Sequence, residues 1–210
     1  MTRLVQKIAV ALLGATLLAA CDSAGMAGGL SFLDTSGGRN LAVPSAQLAD
    51  GQVDVSGPAG YCIDASTLRR TANGGFAAIA SCNILSGGRG PIVEPVLVTV
   101  TVSQAGVDAP DLVALASALG TELSRSRELS AVTAGRMASG GETAFQGSDP
   151  QHWRGTFMMG SRLVGLALYA PEGSPFVGNP GAAFLNVVSS RIQNNSLVTD
   201  PIAEQSQPET

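Results

Sequence analysis

The sequence is poor in the residues that enzymes use most. It has one histidine in 210 residues, His152. Proton transfer and triad chemistry draw on histidine more than on any other side chain. A histidine-based site must therefore be built around His152 or not exist. The three cysteines, Cys21, Cys62 and Cys82, show no CxxC spacing, and His/Asp/Glu clusters with metal-ligand spacing are missing. That argues against a zinc-type site, and no metal or cofactor is expected. Charged residues make up 13% of the chain, 12 basic against 16 acidic. A mildly acidic chain without a basic stripe is a poor partner for phosphates, so nucleic acid is not expected. A long apolar run is also lacking. The longest, Ile8 to Ala20, falls short of the roughly 20 residues that a membrane span needs.

That run carries information of another kind. Arg3 and Lys7 precede it, and a positive segment followed by a short apolar one is the layout of an export signal. It ends in Leu18-Ala19-Ala20-Cys21. This resembles the bacterial lipoprotein signal, an aliphatic residue and two small ones before a cysteine. The resemblance implies that Cys21 receives a diacylglyceryl group and that the chain is cut before it. Two or more acyl chains hold a protein stably at a bilayer, whereas one does so only marginally. The expected organisation is a signal peptide over 1–20, lipidated Cys21 and a Ser/Gly-rich linker over 21–50, one globular domain over 51–193, and a disordered tail over 194–210. The expected location is the periplasmic side of a cell membrane, reached through the lipid. In the enteric version of the signal, Asp22 implies the inner membrane over the outer. The competing reading is an ordinary secretory signal cut after Ala20. In either case Arg3 and Lys7 leave with residues 1–20, and ten basic residues remain against sixteen acidic, a net charge near −6.

With Cys21 committed to lipid, Cys62 and Cys82 form an even pair in an exported chain. A disulfide is the expected state, and closing that loop contributes roughly 3 kcal/mol in the chain-entropy model. A metal-binding or redox thiol pair is the alternative.

The domain reads as α+β, an antiparallel sheet of about six to seven strands with two main helices. Val53 and Val55 alternate with polar residues as a short strand. Asp64 to Arg70 fits one helical turn with Asp64 as cap. Phe76 to Cys82 fits a buried strand. Val96, Val98, Val100 and Val102 alternate with Leu97, Thr99, Thr101 and Ser103, which places the valines on a core face. A helix is expected from Asp108, with Leu112, Leu115, Ala116, Leu119 and Leu123 on one side and Arg125 and Arg127 at its end, where cations suit the helix dipole. Strands are expected over Leu129 to Met137, Glu142 to Gln146 and Trp153 to Met159. Gly160-Ser161 then reads as a type II′ hairpin turn leading into a buried strand, Arg162 to Ala170. Asn179-Pro180 opens the last helix, with Phe184, Leu185, Val188 and Ile192 inward. The Gly-rich run Ser86 to Pro91 lacks the lysine and the following Ser/Thr of a phosphate-binding loop and reads as a plain loop.

This order looks like the PsbP-like α/β/α sandwich, in the stretch LVGLALYAPEGSPF followed by GNPGAAFLNVVSSRI above all. The resemblance implies an assembly, accessory or binding protein more than an enzyme. It transfers no binding residue, because no motif matches.

Two functions from different classes follow. The first is a non-enzymatic envelope lipoprotein that binds or positions an envelope protein partner. Its candidate surfaces are the loop around Asp149, His152, Trp153 and Arg154, and the Pro171–Pro180 loop with Phe176 and Asn179. The second is a small periplasmic hydrolase using His152, with Asp149 available to orient the ring or Cys62 as nucleophile. A further candidate, an anion site joining Arg69 and Arg70 to Arg125 and Arg127, is weighed against the dipole role of the latter pair.

Overall fold

The computed structural model describes residues 41–198. The proposed lipidation site Cys21, the signal and most of the tail lie outside the described residues. Eleven strands and three helices follow: β1 Ala42–Val43, β2 Ser45–Leu48, β3 Val53–Ser56, β4 Tyr61–Asp64, β5 Arg69–Thr71, β6 Gly74–Ser81, α1 Cys82–Leu85, β7 Leu97–Ala105, α2 Leu112–Ala118, β8 Leu123–Glu128, β9 Thr133–Met137, β10 His152–Met159, β11 Arg162–Tyr169 and α3 Asn179–Val198. The protein is α+β. Nine strands form one antiparallel sheet in the order β1-β4-β6-β7-β11-β10-β9-β8, with β5 beside β4 along β6, and β2 pairs with β3 in a separate hairpin. The sheet is thus wider than the six to seven strands expected.

Strand β7 sets the two faces. Val98, Val100 and Val102 are buried on one side with Ala77 and Ile79 of β6 and Val164, Leu166 and Leu168 of β11. Helix α3 covers that side, sinking Leu185, Val188 and Ile192 into it, and the β2–β3 hairpin adds Ala46, Leu48, Val53 and Val55. The other side carries a smaller core of Ala78, Ala80, Leu85, Leu97 and Phe145. Helix α2 lies over Gly135 there, where an added Cβ would meet the Leu112 side chain at 3.2 Å. The rest of this side is open. Thr101, Thr133 and Met158 are exposed, and a Cβ at Gly165 would touch nothing.

Several expectations are corrected. Helix α2 is capped by Asp111, whose carboxylate accepts from Ala114 N at 2.7 Å, not by Asp108. It stops at Leu119. Gly120, at φ +68, donates to Ser117 O, and Thr121 donates to Ala116 O, the paired bonds of a Schellman motif. Leu123 to Glu128 is consequently not the helix's end but β8, the outermost strand. Arg125 and Arg127 sit on that edge and serve no helix dipole. The Glu142–Gln146 strand is replaced by a 3-10 turn at Gly141–Thr143, entered through Gly140 at φ +96 and fastened by Gly140 N–H donating to the Glu142 carboxylate at 2.8 Å. Asp64 caps no helical turn. Its carboxylate takes Ser66 N–H and the Ser66 hydroxyl in a tight turn that leads directly into β5.

Folded elements also begin before residue 51. Strands β1 and β2 lie in the stretch expected as linker, where polar Ser45 and Gln47 alternate with buried Ala46 and Leu48. At the other end, α3 continues past residue 193 because its polar residues have uses. Gln193 donates to Ala131 O, Asn195 to the Ser56 hydroxyl, and the Ser196 hydroxyl accepts from Asp54 N–H.

The disulfide is present. Cys62 and Cys82 are bonded at 2.02 Å and tie β4 to the start of α1. No helix among the described residues is long and apolar enough to cross a membrane.

Candidate functional site

Two candidate loops meet at one end of the sheet. Strand β10 begins where its antiparallel neighbour β11 ends, so the segments before His152 and after Tyr169 are neighbours. Asp149 N–H donates to Ala170 O at 2.9 Å and Glu172 N–H to Gly147 O at 3.0 Å, which stitches the loops together.

Alternation along β10 sends its first residues to opposite faces. Trp153 points to the α3 side and is fully buried. Its indole N–H donates to Val177 O at 3.1 Å and Gly178 O at 3.0 Å, and Gly181 packs against the ring edge. The tryptophan thus anchors the approach to α3. Phe176 stands edge-on to Phe184 with centroids 5.3 Å apart, and Phe184 packs likewise on Tyr61 at 4.8 Å. Asn179, the first residue of α3, accepts from Arg125 Nη1 at 3.2 Å. Of these three, Trp153 and Phe176 are structural contacts, and Asn179 joins the edge strand β8 to the helix start.

His152 and Arg154 lie on the other face. His152 is 3% exposed and stacks on Tyr169 with ring centroids 5.1 Å apart. Arg154 Nε donates to His152 Nε2 at 3.1 Å, and its Nη2 donates to the Tyr169 hydroxyl at 2.8 Å. An acceptor role at Nε2 leaves the ring proton on Nδ1, which lies 3.4 Å from Pro150 O. Burial, followed by the positive charge of Arg154, lowers the His152 pKa from 6.5 to about 4. The imidazole is therefore neutral at ordinary pH with both nitrogens engaged. Asp149 does not orient it. The Asp149 carboxylate accepts from Gln151 N–H at 2.8 Å. Cys62 is locked in the disulfide and offers no thiol. The group His152–Arg154–Tyr169 is a closed polar cluster without a nucleophile.

The four arginines of the supposed anion site stand apart. Arg69 and Arg70 are on β5 beside β6, and Arg125 and Arg127 are on β8 at the far edge, with five strands of the sheet between them. Among the described residues no group of three or more His, Cys, Asp or Glu could hold a metal ion.

Tyr169 was not singled out from sequence. The signal for it was present: counting back from the two-residue turn at Gly160-Ser161 places Tyr169 opposite His152.

No family model matches the chain, and no curated protein matches it.

Proposed function

We propose that this is a cell-envelope lipoprotein, held at a membrane through acylated Cys21, which acts by binding or positioning another envelope component and not by catalysis. The observation that carries the non-catalytic half is the state of His152. The one residue able to serve as a histidine base is buried and neutral, with both ring nitrogens already hydrogen-bonded. The export half is supported by the Leu18–Cys21 pattern and by the Cys62–Cys82 bond, which belongs to an oxidising compartment. The order of last hairpin, loop and long helix is compatible with the PsbP-like reading, whose members serve as accessory and binding proteins.

The test is fractionation of cells making the full chain. Wild-type protein should sediment with membranes and take up labelled fatty acid. Cys21→Ser should lose the label and move to the soluble fraction. A Cys21→Ser protein that stays equally membrane-bound would remove the tether, and sucrose-gradient separation of the two membranes decides whether Asp22 signals retention on the inner one. In-cell crosslinking from the Asp149–Arg154 and Pro171–Pro180 loops then identifies the partner.

A further inference from the structure

A cleft of about 670 Å³ opens at the β2–β3 hairpin. The hairpin buries Ala46, Leu48, Val53 and Val55 against the sheet, so Gln47 and Asp54 belong to its opposite, outward side. Arg70 reaches the cleft from β5. Its Nε donates to Gln47 O at 3.1 Å, which fixes the guanidinium plane, and its terminal nitrogens carry no hydrogen bond to any described residue. Asp54 is partly buried on the same wall with its carboxylate hydrogen-bonded by Asn195 of α3, and burial raises its pKa while that bond lowers it, burial prevailing.

Asp50 stands at the turn, held in an unusual backbone. Ala49, Asp50 and Gly51 lie in succession at φ +52, +57 and +85. Left-handed conformations are disfavoured for residues with a Cβ and persist only where the surroundings impose them. Here full burial of Ala49 and its N–H bond to Gly74 O at 3.1 Å do so. The strained turn is thus a fixed feature, and it presents a carboxylate at a cleft that also contains a second carboxylate and a free guanidinium fork.

The lining has no aromatic ring and no aliphatic side chain larger than alanine. Such walls offer little to an apolar ligand. They suit one bearing an ammonium and a carboxylate, because a guanidinium pairs bidentately with carboxylate and the two aspartates attract a cation. The volume falls in the range of small-molecule sites and is roomier than one free amino acid needs.

We propose that this cleft binds the ends of a short peptide of small residues, with Arg70 on its carboxylate and Asp50 and Asp54 on its ammonium group. The proposal deepens the binding function above and rests on that reading, but not on the lipid tether. Loss of membrane attachment in Cys21→Ser would leave it standing.

The experiment is calorimetric titration of the full-length protein in detergent with tri-alanine, N-acetyl-tri-alanine and tri-alanine amide, alongside melting curves. Tri-alanine should bind and raise the melting temperature. Each blocked peptide should bind at least tenfold more weakly. Arg70→Gln should lose the preference for a free carboxylate, and Asp54→Asn the preference for a free ammonium, while both keep the wild-type far-ultraviolet circular dichroism without peptide. Absence of tri-alanine binding, or equal binding of all three peptides to the unaltered protein, would overturn the proposal without reference to either variant.

Discussion

Arg154 determines what His152 can do. A buried histidine beside a guanidinium has two reasons to stay neutral, lost hydration and like charge, and both act in the same direction. This has a measurable consequence for stability. The unfolded chain takes up a proton near pH 6.5 and the folded chain only near 4. Above pH 6.5 the two states bind the same number of protons at this site, and its contribution is complete. Between 6.5 and 4 the unfolded state binds more, so stability falls as pH falls, by on the order of 3 kcal/mol at most. Urea unfolding at pH 7.5 and 4.5 should show this loss in wild type and a smaller one in His152→Gln. Equal losses would mean that His152 does not titrate as the geometry requires. At this scale the sequence was informative about identity and silent about environment. The uniqueness of His152 was visible, but Asp149 was the nearest carboxylate in the chain, and the residues that engage the ring, Arg154 and Tyr169, meet it only through strand alternation and hairpin register.

The elements that were legible are those whose burial shows in local periodicity. The valines of β7 and the Leu185, Val188 and Ile192 stripe of α3 announce their partners by spacing alone. Strand β8 does not. It has five exposed residues of six, Ser-Arg-Ser-Arg-Glu, and owes its conformation to pairing with β9. Leucine spacing through Leu123 suggested that the helix ran on, although Gly120 gave a stop signal that outweighs it. The same charged residues that obscure β8 in sequence suit an outermost strand, where they discourage pairing with other chains. The disulfide belongs to this scale as well. It joins β4 to α1 at the point where Tyr61 pairs with Ser81. Opening it with dithiothreitol should lower the unfolding free energy by about 3 kcal/mol while leaving far-ultraviolet circular dichroism native-like under mild conditions. Denaturation midpoints that coincide with and without reductant would show that the loop is already constrained by the β4–β6 ladder.

Seen whole, the molecule is asymmetric. One side of the sheet is sealed by α3 and the β2–β3 hairpin, and the other is only partly covered by α1, α2 and the turn near Phe145. Strands β7 and β11 lie at the centre with long ladders on both sides, while β8 has a neighbour on one side only. Native-state hydrogen exchange should therefore be slowest at the amides of β7 and β11 and much faster at the edge strand β8. Protection in β8 equal to that in β7 would point to a covering partner or a second copy at that edge. Sequence could not reveal this asymmetry, because strands with an exposed row and strands with a buried row read alike until their neighbours are known.

The chain's only indole, that of Trp153, is clamped at the entrance of α3 and does not line the cleft at the β2–β3 hairpin. The protein therefore carries a single tryptophan fluorophore, excitable selectively over Tyr61 and Tyr169, whose emission records the undocking of one helix. A spectral change during heating marks the loss of that docking, and a peptide settling beside Arg70 should leave the spectrum unchanged while delaying the temperature at which it shifts.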